Sequence, residues 1–375
     1  MSLSLIQIRD KNDLVEAIQS AQRTNKSIAL LGAGTKTKLG RHVVQDHILS
    51  LRDLTGVTLY EPEELVLSAR AATPLAEIEM LLAQNNQQLA FEPIDYASLF
   101  GESGNNGTVA GALAINASGP RRIKAGAARD HLLGFSAVTG RGETIKSGGR
   151  VMKNVTGFDL SKLLCGSYGT LAALTDITIK VTPKSETEKT IILFNHSERE
   201  CLNLLRKAAA SPHEVSGLCM VPSGAMEGFD QNLAALRLEG PEISVASRCD
   251  SLCHGLVEND IDRLLLNEKA SRLFWQKIKN LEPIIAHNGQ VWRISVAPRD
   301  GRDIIESLQS AGLPIQGYFY DWAGGLIWLA VDSAPHAYAQ IIRSILDQKG
   351  GHCTLIRADI KTRETVDVFH PQSAV

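Results

Sequence analysis

Three stretches of this 375-residue chain combine small residues, hydroxyls, amides and cations at spacings suited to holding a large anion. The first is Gly32-Ala33-Gly34-Thr35-Lys36-Thr37-Lys38, which follows the apolar run 27–31. A strand thus feeds a loop that can turn backbone N–H groups toward phosphate oxygens. It is not a Walker A loop, because Lys36 follows Thr35 rather than glycine, nor a Rossmann fingerprint, because Thr37 stands where a glycine is needed. Alone, it is explained equally well as a plain strand-to-loop turn. The second stretch holds Gly101, Ser103, Gly104, Asn105, Asn106, Gly107, Thr108 and Gly111, then Asn116-Ala117-Ser118-Gly119-Pro120-Arg121-Arg122. Glycine lets backbone wrap a diphosphate; the amides and hydroxyls supply donors, and Arg121, Arg122 and Arg129 offset its charge. The third contains Asn154, Gly157, Asp159 and Lys162, followed by Gly166-Ser167-Tyr168-Gly169-Thr170-Leu171. Taken singly, Asn154 and Lys162 serve as well as a cap and a surface charge.

These loops need elements to position them, and glycine density marks where. Of 31 glycines, 14 fall between Gly101 and Gly169 without a collagen period, which points to sharp turns or close approach to a ligand. Before them, Leu14, Val15, Ile18 and Ala21 recur at helical spacing, and 65–70 reads as a strand. Thr73 as cap and Pro74 in the first turn predict a helix over 75–84. Residues 132–139 and 144–146 predict a hairpin turned by Gly140-Arg141-Gly142, and 171–181 alternate as a strand ending before Pro183. Composition shifts at the polar stretch 183–188; all four tryptophans and five of six cysteines lie beyond it. There the order strand 189–194, helix 197–210, strands 218–221 and 233–238 and helix 241–252 returns later. The return runs as strand 291–296, helix 299–311, strands 315–320 and 326–331, helix 335–349 and strand 354–357. Two βαββα units predict an antiparallel sheet with helices on one face, and 264–281 reads as a helical insertion between them.

Composition narrows the partners. With 39 Lys+Arg against 41 Asp+Glu, a formal charge of −2, there is no phosphate-neutralising excess for nucleic acid. An apolar fraction of 44% suits a packed core. The first ten residues do not read as a signal peptide, and the low-charge stretch 107–120 is too short to span a bilayer, so a cytoplasmic protein is expected. Cys249 and Cys253 form a sparse C-x3-C pair; one helical turn apart, they read as ordinary buried thiols and no metal site is expected.

Together these motifs resemble the FAD-binding domain of the vanillyl-alcohol oxidase (PCMH-type) flavoproteins, and within them the FAD-binding subunits of bacterial glycolate oxidases. The string Gly148-Gly149-Arg150-Val151-Met152-Lys153-Asn154-Val155-Thr156-Gly157-Phe158-Asp159-Leu160-Ser161-Lys162-Leu163 is very similar to the G-G-R-V-x-K-N-V-x-G-Y-D-L-x-K-L of those subunits. Scattered matches continue at Trp292-Arg293, Asp321-Trp322, Gly350-Gly351-His352-Cys353-Thr354-Leu355 and Phe369-His370-Pro371, although Gln372-Ser373-Ala374-Val375 does not match the family's N-P-G-R ending. The resemblance implies an α+β chain: a PCMH-type FAD-binding domain of two subdomains over 1–182 and a ferredoxin-like antiparallel α+β cap over 183–375. It implies that 32–38 hold the FAD pyrophosphate through backbone amides, and that 103–108 and 116–119 line the diphosphate and ribityl chain. Gly169, Thr170, Leu171, Leu174 and Ile177 would approach the isoalloxazine and adenine. Relatives that tether FAD at the first loop carry histidine where this chain has Thr35, so non-covalent FAD is expected.

A 2-hydroxy-acid substrate needs a cation for its carboxylate and a base near its hydroxyl. Arg293, His352 and Arg357 are the candidates in the second half, though each also reads as an ordinary surface or loop residue. The H-x-G-D-G-N-x-H motif of the related catalytic dehydrogenases does not occur. The resemblance therefore implies a flavin-bearing subunit of a glycolate oxidase, partnered by a larger flavoprotein subunit and an iron–sulfur subunit, with membrane contact only through partners. A stand-alone FAD-dependent hydroxy-acid dehydrogenase and a flavin-free assembly scaffold are the alternatives.

Overall fold

The structure, a computed structural model, describes residues 4–104, 106–149, 158–194, 196–256 and 262–372. The chain divides into two units. The first comprises Met1–Thr37, Val43–Gly119 and Ala125–Lys184; the second comprises Lys38–His42, Pro120–Lys124 and Ser185–Val375.

In the first unit, Ser4–Gln7, His47–Ser50 and Ile28–Leu31 form a parallel three-stranded sheet with His47–Ser50 in the middle. The helix Lys11–Arg23 buries Leu14, Ile18 and Ala21, and starts where the Asp10 carboxylate accepts from the amides of Asn12 and Asp13. Five antiparallel strands make the second sheet, in the order Val57–Glu61, Val66–Arg70, Ala172–Lys180, Leu132–Thr139, Thr144–Gly148. At its edge Gly148 has φ +72°, and a Cβ there would collide with the Leu133 carbonyl, so the hairpin closes only over glycine. The helix Leu75–Gln84 forms as expected, but Thr73 does not cap it. Pro74 occupies the cap position without a side-chain bond, and the buried Thr73 hydroxyl instead donates to the Arg70 carbonyl at 2.7 Å.

The second unit is built on one eight-stranded antiparallel sheet. Its order is Arg263–Leu266, Thr187–Leu193, Leu233–Gly240, Gly217–Val221, Ile315–Asp321, Leu326–Val331, Gln290–Ser295, His352–Arg357. Period-2 alternation sends Leu236, Tyr320, Leu329, Trp292 and Leu355 to one face. There they pack with Leu205, Ile304, Ile342 and Cys249 from the four helices Glu198–Ala209, Gly301–Ser310, Ala339–Lys349 and Glu242–Leu256. The opposite face presents Thr190, Arg237, Trp328 and Arg293. On it lies the helix Glu268–Lys279, whose Ser271 and Trp275 hydrogen-bond to Thr190 at 2.6 and 2.8 Å.

Two expectations fail locally. The stretch 264–281 is not helical throughout: Leu264, Leu265 and Leu266 are extended and pair with Ile192, Ile191 and Thr190, because a sheet edge is available to them, and the helix begins after the Asn267 cap. The helix expected from 335 starts at Ala339, since Ala337 (φ +47°) and Tyr338 (φ +53°) are left-handed.

Candidate functional site

In the first unit a cavity of about 620 Å³ opens where the two glycine loops meet. Ala33, Gly34 and Thr35 come from the loop after Ile28–Leu31, and Glu102, Ser103, Asn106 and Thr108 from the second loop; Arg52, Ala72 and Pro74 complete the wall. The loops touch at Thr108. A Cβ at Gly32 would lie 3.1 Å from its hydroxyl, and one at Gly111 would lie 2.9 Å from it. Thr108 also caps the short helix Val109–Ala114, accepting from Gly111 N at 3.2 Å. Gly34 has φ +88°, a conformation that bends the first loop back on itself. Arg52 donates to the carbonyls of Gly32 and Ala33 at 3.2 and 3.4 Å, holding both peptides in fixed orientation.

Lys36 is half-buried against this junction, its Nζ 3.3 Å from where a Cβ on Gly107 would sit. Among the described residues its hydrogen-bond partner is the Thr35 hydroxyl, at 3.2 Å. Burial pushes its pKa down, with Asp95 opposing. An incompletely compensated ammonium beside glycine backbone and hydroxyls is the donor set a diphosphate requires, so the residues fit FAD's pyrophosphate. Thr37 turns inward to the loop, its hydroxyl donating to Gly34 O at 3.2 Å, while Lys38 belongs to the second unit.

The other sequence-derived candidates fall elsewhere. Asn105, Asn154 and Gly157 lie outside the described residues. Gly104 packs against Asp95, and Asn106 donates to Ser103 O at 3.2 Å. The Asn116 side chain accepts from Arg129 N at 3.0 Å, and Ser118 Oγ accepts from Ala128 N at 3.0 Å; these two, with the buried Ala117 and Gly119, whose N–H goes to Phe91 O, brace the helix Ala128–His131. The Arg129 side chain lies 3.9 Å from the Asp130 carboxylate. Asp159 caps the helix Leu160–Leu164 and pairs with Lys162 at 3.2 Å, so capping and surface charge describe both. Gly169 (φ +74°) and Thr170, which donates to Ser167 O, form a turn before exposed Leu171, while Leu174 and Ile177 are core. Arg121 does not offset a diphosphate charge: it is bidentate to Glu239 at 2.7 and 2.9 Å, within the second unit. Arg52, Glu102, Ala72 and Pro74 line the cavity without any sequence signal, because only chain folding brings them to the loop.

In the second unit Arg293 and His352 come together. Arg293 faces Thr354, and His352 faces Ser295, on adjacent strands and the same side of the sheet. Arg357 does not join them. It lies at the far end of that strand, where its guanidinium donates to the backbone carbonyls of Gly289, at 2.8 Å, and His287. Cys249 and Cys253 sit on one helix, and burial raises both thiols, Cys249 to about 11. Among the described residues no three His, Cys, Asp or Glu side chains converge as a metal site.

Comparison with known proteins places this geometry. Residues 3–148 match the model of an FAD binding domain. The chain is 33% identical over 346 residues to the glycolate oxidase subunit GlcE of Escherichia coli, covering 92% of this chain and 86% of that protein. It is 34% identical over 134 residues to glycolate oxidase subunit GlcD of Bacillus subtilis, which spans 36% of this chain and 27% of GlcD. Among solved structures, p-cresol methylhydroxylase superposes with a TM-score of 0.71 at 12% identity, covering 95% of this chain and 81% of that one, a likeness of fold. An FAD-binding domain match over the loops that form the cavity, and a relative of this identity along nearly the whole chain, make this protein an FAD-dependent oxidoreductase that belongs to the family of glycolate oxidase subunit GlcE.

Proposed function

We propose that this chain is the FAD-holding subunit of a complex that oxidises a small 2-hydroxy acid, glycolate, to the 2-oxo acid glyoxylate. The reading is carried by the near-full-length likeness to a protein named as a glycolate oxidase subunit, together with a cavity whose loops and half-buried Lys36 suit a diphosphate. FAD, when bound, supplies the hydride acceptor. The chain's own part is to fix the diphosphate on the 32–38 and 103–108 loops and to set its charge with Lys36. Attachment is non-covalent in this reading: Thr35 stands in the first loop, and the described residues lining the cavity include no histidine, cysteine or tyrosine. Electrons leave through an iron–sulfur centre carried by a partner, since the described cysteines of this chain do not converge on one site. A larger flavoprotein subunit is the second partner, which the shorter likeness to GlcD supports. No helix among the described residues is long and apolar enough to cross a membrane, and we assign the chain to the cytoplasm, with any membrane contact made through partners.

A second reading, a self-sufficient hydroxy-acid dehydrogenase, draws on Arg293 and His352 sharing one sheet face. Anaerobic spectroscopy of the purified chain separates the two. We expect a flavin spectrum, release of all yellow colour into the supernatant on acid precipitation, and slow or absent bleaching by glycolate until partners are added. Rapid bleaching of the isolated chain would replace the subunit reading with the stand-alone enzyme, flavin retained in the acid pellet would overturn non-covalent attachment, and a colourless protein that does not take up FAD would leave only a scaffold.

A further inference from the structure

The segment that continues the first glycine loop is held at every residue from Leu39 to His42, all within the second unit. Leu39 is buried, and Gly40 O accepts from Arg363 Nη1 at 3.4 Å. Arg41 reaches Asp367 at 3.1 Å, and His42 Nδ1 lies 2.9 Å from the Glu364 carboxylate. Arg363, Glu364 and Asp367 lie together, at the end of the helix Ile360–Thr365 and just after it. Arg41, Asp367 and Glu364 are exposed, so their ion pairs add little. Arg363 differs. It is 6% exposed, its Nε has no hydrogen-bond partner among the described residues, and burial lowers its pKa with Asp359 opposing. A buried guanidinium that leaves a donor unused is costly, and the backbone acceptor it does reach is Gly40 O.

Both ends of this contact are fixed. The Asp359 carboxylate accepts from Thr362 N at 2.8 Å and from its hydroxyl at 3.1 Å, and Gln290 Nε2 donates to that buried hydroxyl at 3.5 Å. Beyond the helix, Val368 O accepts from Leu355 N at 2.9 Å, and Arg343 donates to the carbonyls of Asp367 and Phe369. On the cofactor side, Gly34 O accepts from Thr37 N at 3.4 Å and from Thr37 Oγ1 at 3.2 Å, which closes the turn that lines the cavity. Lys38 alone separates that closed turn from the held segment.

We propose that Arg363 is a positioning residue for the cofactor loop: by holding Gly40 it fixes the downstream end of 32–37, and FAD affinity depends on it although it does not line the cavity. A loop with a loose end must be ordered when the diphosphate binds, and that cost is subtracted from affinity; a loop already held presents its N–H groups without it. Linkage makes the effect reciprocal, so bound FAD must steady the helix that carries Arg363. The inference rests on assigning 32–37 to the FAD pyrophosphate, which Gly34→Val tests separately.

The experiment measures the FAD Kd of the full chain by equilibrium dialysis for wild type, Gly34→Val, Arg363→Met and Arg363→Lys, and follows amide exchange by mass spectrometry. Arg363→Met should raise the Kd about fivefold or more, the worth of one charge-assisted hydrogen bond. Arg363→Lys should recover most of that loss, because an ammonium can still donate to Gly40 O. Without FAD, exchange across 32–42 should be faster in Arg363→Met than in wild type, with the strand Leu326–Val331 unchanged. In the wild type, FAD should slow exchange at 360–367 as well as at 32–37. Wild-type affinity in Arg363→Met, alongside a loss in Gly34→Val, overturns the positioning role, and so do equal losses in Arg363→Met and Arg363→Lys. If Arg363→Met does not fold, FAD that slows 32–37 in the wild type without slowing 360–367 overturns it. Unchanged affinity in Gly34→Val strikes the pyrophosphate reading, and this inference with it.

Discussion

At the residue scale, the cofactor loops depend on glycine at positions where any side chain costs twice. Gly34 sits at φ +88°, so valine there brings left-handed strain of about 1–2 kcal/mol before any ligand is considered. Gly111 has ordinary helical backbone, but a Cβ would press on the Thr108 hydroxyl and approach the Lys36 side chain at 3.7 Å. Gly34→Val and Gly111→Val should therefore each weaken FAD retention by about tenfold or more while leaving the second unit's fold unchanged. Equilibrium dialysis against FAD checks this, and full retention in both variants would count against these loops as the pyrophosphate cradle. Lys36 belongs to the same scale: its role follows from where its ammonium is buried, not from its place in a motif.

At the element scale, a row of charges ties three strands of the second unit's sheet together. Glu239 on Leu233–Gly240 accepts from Arg121 and from Ser216, which precedes Gly217–Val221, while Glu188 on Thr187–Leu193 pairs directly across from it. Burial would raise the Glu239 carboxyl, but Arg237, Arg121 and the Ser216 hydroxyl outweigh it and hold the group at about 2, against 4.5 unperturbed. Its stabilising contribution is therefore complete above pH 4.5 and is lost as pH falls from there toward 2. Glu188 behaves in the opposite sense. Burial raises it, so keeping it ionised costs stability at neutral pH, and that cost is relieved as pH falls through its raised pKa. Glu239→Gln removes the buried carboxylate that Arg121 and Arg237 share and should destabilise the second unit by about 3–5 kcal/mol. Urea unfolding at stepped pH should also show the wild-type loss between pH 4.5 and 2 reduced in the variant.

At the scale of the whole molecule, the chain leaves the first unit twice to complete the second. Lys38–His42 follows the first loop directly, and Pro120–Lys124 follows Asn116-Ala117-Ser118-Gly119 directly. Inside the second unit these segments are anchored by Arg41 to Asp367 at 3.1 Å, by His42 to Glu364 at 2.9 Å and by Arg121 to Glu239. Arg121→Met, in the first half of the chain, should thus speed amide exchange in Thr187–Leu193 and Leu233–Gly240 and leave the five-stranded sheet of the first unit unaffected. Hydrogen exchange with mass spectrometry reads this out, and faster exchange confined to the first unit would contradict the assignment.

Local pattern alone determined much of this protein. Alternation at 326–331, helical spacing at Leu14, Ile18 and Ala21, and the glycine loops after strands are short-range features, set by the two periods of secondary structure and by the turns only glycine makes. The repeated βαββα order was legible for the same reason, whereas the cofactor class came from the resemblance of the contiguous loop motifs to a known family. Tertiary structure alone decided the fate of adjacent residues. Arg121 and Arg122 look identical in sequence, yet one is neutralised by Glu239, 118 positions away, and the other lies against the ring of Trp322. Among the three candidates offered for a substrate, register places Arg293 beside His352, while Arg357 is taken by the carbonyls of Gly289 and His287. Charge compensation between residues far apart in the chain leaves no periodic trace, and it becomes visible only once strand order and register bring the partners together.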